Sequence, residues 1–186
     1  MNKEFIPLRG NFRDLIAYQK AECIYDITYF FAHKYLKIGD RTIDQMIQAA
    51  RSGKQNIAEG NSASTTSKET EIKLINVAKA SFYELLLDYE DYLRTRNLEI
   101  WELNSEKSDK TRAVCSKHND SAYYRNAIMT RSDETIANIA ITLLHQEDLF
   151  LLHYLERIKE EFIEKGGIRE EMTKARVEFR NKENHQ

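Results

Sequence analysis

Apolar residues recur along most of this chain at steps of three and four, the spacing that lines them up on one face of an α-helix. The first stripe is Leu15, Ile16, Cys23, Ile24, Ile27, Phe30 and Phe31, and it predicts a helix from about Phe12 to Leu36. Tyr18, Tyr25, Tyr29 and Tyr35 widen that stripe beyond a single face. So wide an arc implies more contacts than two flanking helices supply. Either the tyrosines lie flat with wet hydroxyls, or they meet another subunit. After a break at Gly39-Asp40, a second helix carries Ile43, Met46, Ile47, Ala50, Gly53 and Ile57 on its inner line. A helical glycine is about 1 kcal/mol less favourable than alanine, so Gly53 implies close approach by a neighbour. Gly60-Asn61 reads as a left-handed stop to this helix.

A third helix is expected to open on a hydroxyl cap at Thr66 or Ser67, with Glu69 and Glu71 in the first turn, where the helix dipole favours acid. Its stripe runs Ile75, Ala78, Phe82, Leu85, Leu86, Tyr89 and Leu93 and ends near Arg96-Asn97. Residues 98–131 read as an excursion, with Ile100 and Trp101 as anchor and short helical pieces over Glu106–Lys117 and Ala122–Met129. A fourth long helix is predicted from Ser132 to Glu164, ended by Gly166-Gly167. The tail beyond is amphipathic through Ile168, Met172, Ala175 and Phe179. A helix this short is marginal by itself, so it is expected to dock.

Four long helices on modest loops predict an all-α, antiparallel up-down-up-down four-helix bundle over residues 1–165. The 98–131 excursion falls between helices three and four, and residues 166–186 form a C-terminal helical extension. Composition supports this. In 186 residues there are six glycines and one proline, too few for the turns a sheet protein needs. The net charge of −2 offers no global attraction to nucleic acid or to an anionic membrane. The start lacks the apolar core of a signal peptide and no run reaches the length of a membrane span, so a cytoplasmic protein with no membrane partner is expected. Cys23 and Cys115 fit neither a metal spacing nor a disulfide framework.

Catalytic patterns are missing. Inward Glu-x-x-His pairs, as in di-iron bundles, do not occur, and the glycines do not follow strands as in a phosphate loop. His145 and His153 lie eight residues apart, too far for one metal on one helix. The expectation is therefore no catalytic residue, no metal, no cofactor, and a chain that is not an enzyme. The polar residues that stand out are Gln45, Asn56, Glu59, Gly60, Ser81 and Glu84. They read as a structural cluster in which Asn56 satisfies carbonyls ending helix two, Glu59 bonds amides opening helix three, and Ser81 and Glu84 meet them across the pair. For nucleic acid the candidates are Arg51, Lys54, Lys68 and Lys73, which would make a basic annulus if repeated round a ring.

The stretch Gln45, Ala49-Ala50, Ser52, Asn56-Ile57-Ala58-Glu59-Gly60, followed by Ser67-Lys68-Glu69 and Ala78-Lys79-Ala80-Ser81-Phe82-Tyr83-Glu84-Leu85, resembles a known family. It is that of the bacterial four-helix bundle proteins found within intervening sequences of 23S ribosomal RNA. The chain is similar also to the accessory variability protein of diversity-generating retroelements. The tail from Gly166 to Arg176 resembles the C-terminal extension of a longer subgroup. The resemblance implies a left-handed bundle that assembles into a homopentameric ring. Through the retroelement relative it implies binding of nucleic acid and of a protein partner. The function expected is a non-enzymatic assembly scaffold of unsettled cellular role, with an RNA- or DNA-binding accessory factor as the alternative.

Overall fold

The computed structural model describes residues 11–183, and over them the chain is all-helical. The elements are α1 (Ile16–Tyr35), α2 (Arg41–Ala63), α3 (Lys68–Thr95), α4 (Glu106–Lys117), α5 (Ser121–Ile128), α6 (Asp133–Lys165) and α7 (Ile168–Glu183). The lead-in, residues 1–10, and the last three residues, 184–186, lie outside the described residues.

Side-chain caps set most of the starts. Asp40 accepts a hydrogen bond from the Thr42 amide, Ser67 from Thr70, Ser105 from Ser108, Asp120 from Ala122 and Ser132 from Thr135. Each satisfies an amide that the first helical turn leaves without a partner. Gly39 (φ 89°) and Asn97 (φ 54°) take the left-handed conformation on either side of this framework and let the chain turn sharply.

The four longest helices pack in a closed cycle: α1 on α2, α2 on α3, α3 on α6 and α6 on α1. Hydrogen bonds at the two ends fix their directions. Tyr35 donates to the Arg131 carbonyl at 2.8 Å and Tyr92 donates to Asp133 at 2.8 Å, so the start of α6 lies beside the ends of α1 and α3. Lys68 pairs with Glu161 at 2.7 Å, so the end of α6 lies beside the start of α3. The core between them is made of Ile24, Ile27, Phe31, Met46, Ile57, Ile75, Leu85, Tyr89, Leu93 and Ile136, all wholly buried.

Three expectations change. Helix one starts at Ile16, because Phe12–Asp14 forms a 3-10 turn capped by Asn11. Gly60-Asn61 is not a stop: α2 continues to Ala63, and Gly60 is buried within it. A Cβ at Gly60 would lie 3.2 Å from Ile75 Cδ1 and 3.5 Å from the Glu71 carbonyl, so closeness to α3, not backbone conformation, calls for glycine. The tail does form a helix, but α7 packs extensively on no described element, and Met172, Val177 and Phe179 stay exposed. The wide arc of α1 does find a third neighbour, α5, within the excursion.

Candidate functional site

The seam between α2 and α3 holds most of the polar signature. Gly53 faces Phe82 so closely that a Cβ there would lie 2.4 Å from the ring. With the backbones this near, Ser52 and Ser81 meet hydroxyl to hydroxyl at 2.9 Å. Asn56 donates to the Ser52 carbonyl at 2.9 Å and to its hydroxyl at 3.2 Å. Above them Asp44, Gln45, Gln48, Ser52, Ser81, Glu84 and Asp88 line an open groove of about 680 Å³. Burial, reinforced by the negative charges of Asp91 and Glu84, raises the Asp88 carboxyl above its ordinary range. The groove is an acceptor-rich surface.

Not every signature residue joins it. Asn56 bonds within its own helix one turn back, not to the carbonyls that end α2. Glu59 is exposed, and the amide cap of α3 is Ser67 instead. Glu59 and Glu84 are not neighbours: the pairing of Gly60 with Ile75 puts Glu84 about 13 Å further along the seam. Gly60 belongs to the close packing, not to the polar cluster.

The basic candidates do not form one patch. Arg51 is exposed, and Lys54 lies over the Tyr25 ring at 4.3 Å. Lys68 is held by Glu161 at 2.7 Å and Glu71 at 3.3 Å, and Lys73 by Glu69 at 2.7 Å. By the same register Lys68 sits about 24 Å along the axis from Arg51. Two of the four cations are thus neutralised locally, and the two halves of the set are far apart.

A second polar region lies under the excursion, where sequence reasoning did not look. Lys20 of α1 is wholly buried and donates through Nζ to the carbonyls of Cys115 and, at 2.9 Å, His118. It caps the C-terminus of α4 with a positive charge, where carbonyls and helix dipole both favour one. Tyr124 of α5 donates to the same His118 carbonyl at 3.0 Å. Glu147 of α6 is also wholly buried, and neither carboxylate oxygen has a hydrogen-bond partner among the described residues. Burial raises its carboxyl well above the ordinary range, and the charge of Lys20 offsets this only in part. Burial likewise pushes the Cys23 thiol up to about 12 and raises Cys115. Both thiols are therefore protonated and unreactive, and both cysteines are free and buried. No group of three or more His, Cys, Asp or Glu among the described residues is arranged to hold a metal.

Asn138 of α6 was missed as well. Its amide accepts from the Trp101 amide at 2.8 Å and donates to the Glu99 carbonyl at 2.8 Å, pinning the stretch of chain that begins the excursion. Of the expected anchor pair, Ile100 is exposed, while Trp101 is half-buried and held through its amide by Asn138.

The third feature is an aromatic groove of about 710 Å³ between α1 and α5, lined by Tyr25, Tyr29, Phe30, His33, Ile128 and Met129, with Asp26, Lys34 and Arg125 at its rim. Tyr29 lies against His33 with ring centroids 4.3 Å apart and planes tilted by 37°, Lys34 lies over Phe30 at 4.9 Å, and Arg125 pairs with Asp26 at 2.7 Å. This is where the wide arc of α1 remains uncovered. No helix among the described residues is long and apolar enough to cross a membrane. Set against known proteins, the chain matches no family model, no curated protein and no solved structure.

Proposed function

We propose that this chain is a non-enzymatic assembly scaffold, an antiparallel up-down-up-down four-helix bundle that forms a homo-oligomer. The observation that carries the reading is the aromatic groove on α1. Tyr29 and Met129 are both more than half exposed there, gathered with Tyr25, Phe30 and Ile128 on one face. The closed packing cycle of α1, α2, α3 and α6 supports the bundle. The resemblance to the intervening-sequence proteins of 23S ribosomal RNA supports a pentameric ring in the cytoplasm of a bacterium. Light scattering tests it: a pentamer of 21.9 kDa subunits has a mass of about 110 kDa, and a mass near one subunit at tens of micromolar concentration rejects the reading.

The alternative, an RNA- or DNA-binding accessory factor, has narrower support. It rests on Arg51 and Lys54, since Lys68 and Lys73 are engaged in ion pairs. Binding of structured RNA or duplex DNA that falls steeply with salt and is lost on reversing the charge of both residues is its signature. Binding insensitive to either change removes it.

A further inference from the structure

We infer that the outer face of α6 pairs with the same face of a second copy, antiparallel and about a twofold axis. The contact is separate from the α1 groove and needs no ring.

α6 carries two stripes where a bundle helix needs one. The inner stripe, Leu143, Leu144, Glu147, Leu151, Tyr154 and Ile158, is buried against the other helices. The outer one is His145, Leu149, Leu152, Glu156, Lys159 and Ile163, with steps of four and three in strict alternation. That alternation is the narrow seam of a coiled coil, which faces a single partner helix. All six side chains are exposed, Leu149, Leu152 and Ile163 by 56%, 41% and 82%.

The order of residues along the seam says what fills it. Leu152, Glu156, Lys159 and Ile163 read apolar, acid, base, apolar, and their spacing is the same from either end. Run antiparallel about a point between Arg157 and Ile158, two copies bring Leu152 onto Ile163 and Glu156 onto Lys159, each pair occurring twice. Run parallel and in register, they set Glu156 on Glu156 and Lys159 on Lys159, which repel. Both charges are available for the contact. Neither takes part in an ion pair among the described residues, whereas Arg157 lies over Tyr154 at 5.0 Å and Glu161 pairs with Lys68 at 2.7 Å. A surface that complements itself in this way is isologous and joins copies in pairs. The mirrored order is what selects a second copy over an unrelated helix. The seam runs for less than three heptads, short of what a stable coiled coil sustains, so the pair is weak and forms at high protein concentration.

The test follows mass by light scattering at tens and at hundreds of micromolar, on full-length chains. The unaltered protein is expected to double its mass over that range. Glu156→Lys and Lys159→Glu each set like charges together at two places across the axis and should abolish the doubling. The exchange E156K/K159E should restore it. All three variants should keep the melting midpoint measured at low concentration, because the altered residues are exposed. A second measurement mixes Leu152→Cys and Ile163→Cys chains under copper–phenanthroline oxidation. The expected product links one chain of each kind, against little background because Cys23 and Cys115 are buried. Links between two Leu152→Cys chains would mean a parallel pair. A mass that never doubles, or that doubles in every variant alike, would mean no contact through α6. Either result overturns the inference and leaves a ring formed at the lower concentration standing. A subunit mass at the lower concentration that doubles at the higher rejects the ring and keeps the α6 pair.

Discussion

The seam between α2 and α3 and the layer between α1, α6 and the excursion solve opposite problems. The seam brings two long backbones together by removing side chains: Gly53 under Phe82, Gly60 under Ile75, and two serines that fill the remaining space with a hydrogen bond. The other layer joins short irregular pieces to long helices, and it spends charge to do so. Lys20 satisfies two carbonyls at the end of α4, and Asp26 holds Ser121 and Arg125 of α5. Close packing needs no polar group, but it forbids volume. A buried cap tolerates irregular backbone, but it leaves a charge that must keep its partners.

The largest effect is expected at Lys20. Lys20→Ala strips the buried Cys115 carbonyl, leaves the His118 carbonyl only its bond from Tyr124 and removes the cation that offsets the burial of Glu147, so the cost should be about 3–5 kcal/mol. Hydrogen exchange should show α4 and α5 opening before the long helices. A variant that loses stability uniformly, with no preferential opening there, would show that Lys20 is general core and not a cap. Gly53→Leu comes next, at about 3 kcal/mol, because the Phe82 ring occupies the place of the new Cβ and must be displaced entirely. An unchanged urea midpoint would mean that the seam can widen without loss.

These two regions also divide what sequence could and could not say. The helical pattern placed all four long helices, and Gly53 declared its close contact because glycine is otherwise unfavourable inside a helix. Gly60 was misread as a stop because the same residue serves both purposes, and only the proximity of Ile75 separates them. Lys20 and Glu147 carried a signal that was passed over. Lys20 falls in phase with Ile16, Cys23, Ile24 and Ile27, and Glu147 with Leu143, Leu144 and Leu151, so each occupies a buried line of its own stripe. A lone charge on an apolar face looks like an interruption. It reads as a cap only when the partner is known, and these partners are backbone carbonyls some 95 residues away, which no side-chain pattern reveals. Asn138 escaped for the same reason.

A smaller effect, readable only against pH, is expected at Glu147. Its folded carboxyl titrates well above the ordinary value of 4.5, so the folded state binds more protons than the unfolded chain above that pH. Stability contributed by this group is complete below about pH 4.5 and is lost as pH rises toward the folded value. Lys20, lowered by burial, acts at the alkaline end, while Cys23 and Cys115 stay neutral throughout. Replacing the acid with an apolar side chain of similar length removes the loss. Glu147→Met should match the unaltered protein in urea midpoint near pH 5 and exceed it near pH 8. Parallel pH profiles for the two proteins would mean that Glu147 ionises inside the fold at little cost, held by Lys20 as a true ion pair.

The smallest effect separates the two regions most sharply. Ser81→Ala removes one hydroxyl from the seam but leaves Ser52 its contact with Asn56, so no buried group is orphaned. The expected loss is about 0.5–1 kcal/mol, several times less than at Lys20, although both residues are buried and both make a hydrogen bond across helices. The contrast follows from redundancy. Ser52 has a second partner on its own helix one turn away, whereas the Cys115 carbonyl lies in the last turn of α4, where the helix no longer supplies donors of its own. Equal losses at Ser81 and Lys20 would place the strength of the seam in its hydroxyl pair instead of in the closeness that Gly53 permits, and Gly53→Ala, which keeps the serines, would then be the milder substitution.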